Sequence, residues 1–141
     1  LNDPARPENV TNRQVEDAAV AFVLAWEAAR GRTAHDTRGR GAAGDVASGS
    51  RTIEVKAYGR AARGQDLWLE VRQVEEAAGN PDFWLYVVEN IRQGDPEKFR
   101  LLEIGGEALR SLLARAVERR YFTVPWPVAV YDELAREQHS P

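Results

Sequence analysis

The residues best suited to chemistry lie in the middle of the chain: Asp45, then Glu54 and Lys56, an Asp followed after eight residues by Glu-x-Lys. Over residues 51–58, Ile53, Val55 and Ala57 alternate with Thr52, Glu54, Lys56 and Tyr58. A strand with this pattern puts Glu54 and Lys56 on one face, with Cα atoms about 6.6 Å apart. With a turn at 48–50, Asp45 approaches Glu54 from the neighbouring strand, and two carboxylates that close repel each other unless a cation lies between them. Mg²⁺ suits such a pair, because it takes oxygen ligands and normally uses only one or two carboxylates; Mn²⁺ is the substitute. The metal would stabilise charge developing on a phosphodiester and lower the pKa of a bound water, while the Lys56 ammonium orients that water or neutralises the transition state. The competing reading is an exposed Glu/Lys pair on the polar face of a half-buried strand.

The elements that must position these residues follow from periodicity. Residues 11–30 read as a helix capped by Thr11 or Asn12, with Val15, Ala18, Ala19, Phe22, Val23 and Trp26 at helical spacing and Gly31 ending it. Glu16 and Glu27 are close to three full turns apart, so they project from nearly the same side, and either could reach the metal. Glu16 borders the apolar stripe. A short strand at 32–35, a mobile Gly/Arg loop at 36–44, a strand at 45–47 and a turn at 48–50 lead into the strand 51–58. A loop at 59–65 precedes a helix at 70–78, stopped by Gly79, Asn80 and Pro81. Phe83 to Val88 is apolar on both alternating faces and reads as a central strand. A turn at 94–96, a strand at 99–104, a helix carrying Leu109, Leu112, Leu113, Ala116 and Val117, an extended path at 121–131 and a short helix at 132–138 complete the chain. The expected fold is α/β, a mixed central sheet flanked by helices, in one domain over 1–141 with its core at about 11–120. The aromatic and Pro-rich tail, 121–141, is the candidate for docking a partner or forming a homodimer.

The net charge of −3 excludes a protein that coats nucleic acid by charge alone. Between residues 30 and 72, however, nine Lys/Arg stand against five Asp/Glu, and the flanks are acidic. Arg38, Arg40, Arg60 and Arg63, in the loops around the carboxylates, are therefore the candidate nucleic-acid contacts. The absence of cysteine removes disulfides, zinc-thiolate sites and thiol catalysis, and fits a cytoplasmic setting. No apolar run is long enough to cross a bilayer, and residues 1–10 are polar rather than signal-like, so no membrane association is expected. The start without Met suggests a module cut from a longer chain. His35 and His139 lack ligand spacing, no serine sits in a nucleophile elbow, and the glycines at 39–49 form no phosphate-binding loop. Trp68, Trp84 and Trp126, with Phe83, Tyr86, Tyr121 and Phe122, are expected in core and interface packing rather than in base stacking.

The run Ala25-Trp26-Glu27, Arg30-Gly31-Arg32, Gly44-Asp45, Ile53-Glu54-Val55-Lys56 and Phe83 to Asn90 resembles the carboxy-terminal domain named after the plant protein NO VEIN. The resemblance spans about residues 13–105. That family, a domain of unknown function, is similar to the PD-(D/E)xK nucleases, including Mrr-like restriction enzymes and archaeal Holliday-junction resolvases. In prokaryotes it tends to be attached to helicases, ATPases and other parts of defence systems. The resemblance implies a restriction-endonuclease-like core of order α-β-β-β-α-β, with Asp45, Glu54 and Lys56 as its catalytic set. It places the first-helix glutamate at Glu16 as a further metal ligand, and Gln73 at a polar position near the active site. The aromatic that often separates the Gly-Asp pair in relatives is missing here. The expected function is a Mg²⁺-dependent DNA endonuclease domain of a restriction or antiphage defence system. The alternative is a catalytically inactive module of the same fold that recognises DNA or docks to a helicase or ATPase partner.

Overall fold

The computed structural model describes residues 11–139. Residues 1–10, read above as a polar segment, and the last two residues of the tail lie outside that range. The first helix, α1 (Asn12–Ala29), starts where the Thr11 hydroxyl accepts the Gln14 N–H at 3.0 Å and the Gln14 side chain accepts the Thr11 N–H, a reciprocal cap that satisfies two orphan donors. Then follow β1 (Ala34–Asp36), β2 (Val46–Ser48), β3 (Arg51–Ala57), α2 (Val71–Gly79), β4 (Phe83–Glu89), β5 (Arg100–Ile104), α3 (Gly106–Leu113) and α4 (Val128–His139). The five strands form one mixed sheet in chain order, β1-β2-β3-β4-β5. Only β3 and β4 run parallel, because α2 carries the chain back between them; the other pairs are antiparallel. Helices flank the sheet on both faces.

Side-chain alternation sorts the core into two layers. Val15, Ala19, Val20 and Val23 of α1 pack with Val46, Ile53, Val55, Tyr86 and Val88 on one face. On the other, Phe83, Leu85 and Val87 of β4 meet Leu109 and, at the margin, Ala77, Leu113, Leu67 and Leu69. Because β3 pairs Thr52 with Phe83, Glu54 with Leu85 and Lys56 with Val87, its polar residues share the second face.

Glu27 is fully buried at the end of α1, where Arg32 grips both its oxygens at 2.6 and 2.8 Å and the Tyr86 hydroxyl donates to it at 3.0 Å. Burial opposes ionisation, but the hydrogen bonds from Arg32 and Tyr86 outweigh it, and its carboxyl is held below the usual range. Arg51 extends the network by donating to the Tyr86 oxygen at 2.6 Å and stacking 3.9 Å above the Trp84 ring. Glu27 is thus a structural anchor on the α1 face, away from the face that carries Glu54.

Two expectations need correction. The last apolar helix stops at Leu113, so Ala116 and Val117 fall beyond it and Val117 is exposed. The final helix begins at Val128, inside the stretch read as extended, and Trp68, Tyr121, Phe122 and Trp126 are exposed and take no part in the core. The loop before Asp45 is tied to its surroundings. Thr37 donates its N–H to the Asp45 carbonyl and its hydroxyl to the Gly44 carbonyl, and Arg72 reaches across to the Gly41 carbonyl. Among the described residues no helix is long and apolar enough to cross a membrane.

Replacing Glu27 by Ala leaves Arg32 and the Tyr86 hydroxyl without their acceptor in a buried setting. The expected loss is roughly 3–5 kcal/mol, read as a lower midpoint in urea unfolding.

Candidate functional site

The site begins with a mismatch of strand lengths. β2 pairs with β3 only from Arg51 to Ile53, so beyond Ile53 the outward amide of β3 has no backbone acceptor from β2. The Asp45 N–H closes the ladder on the Ile53 carbonyl at 2.8 Å, and its side chain then takes over, accepting the Val55 N–H at Oδ2 at 2.9 Å. That bond fixes the carboxylate beside Glu54. A Cβ at Gly44 would come within 2.7 Å of the Ile53 carbonyl oxygen, so the approach of this segment to β3 requires glycine there.

Glu54 is only 5% exposed, and its Oε2 lies 3.1 Å from the Lys56 ammonium. Burial, and then the charge of Asp45 beside it, push the Glu54 carboxyl up to about 7 against the opposing pull of Lys56. Two carboxylates and one ammonium therefore meet on one face of the sheet. The charge of Asp45 disfavours that of Glu54, which is the condition a divalent cation relieves.

Lys56 leads outward. With Ala57, Tyr58, Gly64, Gln65, Asp66 and Trp68 it lines an open depression of about 470 Å³. The Tyr58 hydroxyl donates to the Asp66 carbonyl at 3.0 Å and pins the loop that forms the far wall. Gln73 lies in the first turn of α2, where its side chain accepts the Glu70 N–H at 2.9 Å.

Glu16 is exposed and lines a different depression, with Arg13, Asp17, Asp36, Arg38, Gly39 and Arg40. Among the described residues no three His, Asp or Glu side chains are grouped so as to hold a metal ion, so Asp45 and Glu54 stand as a pair. Arg38 is engaged by Asp36 at 2.9 Å and by Asp17 at 2.8 Å, whereas Arg40, Arg60 and Arg63 are exposed. Trp68, Gln65 and Asp66 were not singled out as site residues from the sequence. The signal lay in Leu67-Trp68-Leu69, whose alternation turns the indole away from the two leucines.

Comparison with known families decides the wider membership. The family model for the C-terminal domain of Protein NO VEIN matches residues 15–102, more than half of the chain. The chain belongs to this family. The NO VEIN C-terminal match takes in α1 through most of β5, and so includes Asp45, Glu54, Lys56 and the loop with Trp68, while α3 and α4 lie beyond it. No curated protein and no solved structure matches the chain.

The raised Glu54 carboxyl carries a stability consequence. Its folded pKa lies above that of an unfolded glutamate, so the folded state holds the proton more tightly, and this contribution is full below about pH 4.5 and lost as pH rises through about 7. Glu54→Gln, which cannot ionise, should therefore gain stability relative to the parent between pH 5 and pH 8, by roughly 1–3 kcal/mol, in urea melts at the two pH values. A difference independent of pH would contradict the assignment.

Proposed function

We propose that this domain is a Mg²⁺-dependent DNA endonuclease domain of a restriction or antiphage defence system, built on a restriction-endonuclease-like core. The observation that carries the reading is the convergence of Asp45, Glu54 and Lys56 on one sheet face beside an open depression. The order α1-β1-β2-β3-α2-β4 supports the core assignment, since it has the α-β-β-β-α-β sequence of elements that the family resemblance implies.

The donor set fits a hard divalent cation: two carboxylates supply oxygen, and the elevated Glu54 carboxyl reflects a negative charge in want of a partner. Asp45 and Glu54 would hold Mg²⁺ or Mn²⁺, which when bound supplies Lewis-acid stabilisation of phosphoryl charge and a more acidic water. Glu54, whose carboxyl gives up its proton only around neutrality, would offer its charge to the cation above that pH. Asp45 keeps its place through the Val55 amide. The Lys56 ammonium, held at Glu54 and facing the depression, places a positive charge where a phosphate oxygen gains negative charge, an effect realised most fully where water is excluded. Exposed Arg60 and Arg63 on the neighbouring loop offer phosphate contacts.

A second reading, a non-catalytic module that recognises DNA or docks a helicase or ATPase, is favoured by one feature. Lys56 is already neutralised by Glu54, and no third carboxylate joins the pair among the described residues.

Purified protein incubated with supercoiled DNA and Mg²⁺ or Mn²⁺ should nick or linearise it, and Lys56→Ala should slow this by roughly 100-fold or more. Calorimetric titration with Mn²⁺ should give one binding event that Asp45→Asn removes, because the amide oxygen still accepts the Val55 N–H and preserves the fold. Equal cleavage by the parent and Lys56→Ala overturns the enzyme reading; salt-sensitive DNA binding that survives Glu54→Ala without cleavage selects the second.

A further inference from the structure

The loop between β3 and α2 presents a tryptophan to solvent. Trp68 is 70% exposed, yet Leu67 and Leu69 on either side are tucked against the core formed by Phe83, Leu85, Val87 and Leu109. With both leucines turned to the core, the indole between them is left outward. Loop hydrogen bonds secure this geometry. The Ala62 N–H donates to the buried Glu89 carboxylate at 2.8 Å, the Gln65 N–H to the Ala62 carbonyl at 2.9 Å, and the Tyr58 hydroxyl to the Asp66 carbonyl. Trp68 is thus held on a fixed support, and its ring borders the same depression as Lys56.

The neighbours narrow the ligand. The depression is polar on its remaining walls, through Gln65, Asp66 and Tyr58, and the loop carries exposed Arg60 and Arg63. Its volume falls in the roughly 300–1,000 Å³ range of small-ligand clefts. A flat aromatic face lining one depression with an ammonium, on a loop that also carries two exposed arginines, matches one repeating chemistry, a planar base attached to a phosphate. In duplex DNA each base is stacked on its neighbours and its face is covered, so a protein ring has access only where a base is unpaired.

We propose that Trp68 stacks on an unpaired nucleobase next to the phosphate held at Lys56, so that the site takes single-stranded or locally unpaired DNA in preference to intact duplex. The inference rests on the nuclease-site reading for its phosphate and adds the base that accompanies it. Trp68 then acts as a substrate-positioning residue, setting which phosphate reaches Asp45, Glu54 and Lys56.

The test is fluorescence anisotropy with a labelled oligothymidylate and a mixed-sequence duplex of equal length, in EDTA so that binding is read without cleavage. The parent should bind the single strand more tightly than the duplex. Trp68→Ala should weaken single-strand binding roughly tenfold or more while leaving duplex binding and the melting temperature unchanged. Trp68→Phe, which keeps an aromatic face, should recover most of the loss. Protein fluorescence should be quenched by the oligothymidylate in the parent and less so in Trp68→Phe. Single-strand binding indifferent to Trp68→Ala, or equal losses on both DNAs, overturns the stacking role and leaves the phosphate site standing. If the parent binds neither DNA, the nucleic-acid reading falls together with it.

Discussion

The candidate site depends on the bond between the Val55 amide and the Asp45 carboxylate. A strand amide left without a backbone acceptor is costly when buried. Here β2 starts only at Val46, and the side chain of Asp45, the residue just before it, supplies the acceptor instead. The solution has a chemical consequence: an aspartate that caps a sheet ladder is placed beside Glu54, and its remaining oxygen is held there by a bond that also serves the fold. The loop that delivers Asp45 is tied down accordingly, by Thr37 to the Gly44 and Asp45 carbonyls and by Arg72 to the Gly41 carbonyl. One carboxylate serves both the sheet and the candidate site.

Two glutamates show how the environment moves buried carboxyls in opposite directions. Glu27 and Glu54 are both removed from water, and burial alone pushes both carboxyls upward. Glu27 meets a guanidinium on both oxygens and a phenol besides, so its charge is overcompensated and its carboxyl falls. Glu54 meets one ammonium and one like charge, so its carboxyl rises. The first arrangement locks α1 to the sheet. The second leaves a negative site short of positive charge, placed where the sheet opens to a depression.

The division of labour between the faces follows from the parallel β3–β4 pair. Pairing in register puts Ile53, Val55 and Ala57 level with Trp84, Tyr86 and Val88, and Glu54 and Lys56 level with Leu85 and Val87. α1 therefore seals one face with apolar residues, while the opposite face is covered over β4 by α2 and α3 and left accessible along the end of β3. Side chains at the margin of a covered layer can be desolvated without being closed in, which is how Glu54 is buried while Lys56 reaches the depression.

Local chemistry was legible in the residues themselves. The Thr11 cap, the apolar spacing of α1, the β2–β3 hairpin around Gly49 and the doubly apolar β4 all have short-range causes, and those elements appear within a residue or two of their expected bounds. The shared face of Glu54 and Lys56 follows from alternation alone. Other features depend on contacts between distant segments. Glu16 and Glu27 are nearly equivalent in helical phase, yet Arg32 and Tyr86 claim Glu27 while Glu16 stays exposed, because pairing partners are set by how α1 lies on the sheet. The α3 helix ends early, since Ala116 and Val117 find no surface to cover once Leu109 and Leu113 have filled theirs. Nothing in the residue type of Trp68 tells core from surface, and the packing of Leu67 and Leu69 against the β4 layer leaves it outward. Sequence determined which side chains share a strand face, a matter of backbone period; tertiary structure decided which of them meet a partner, a core or solvent, because those outcomes depend on what other parts of the chain bring alongside.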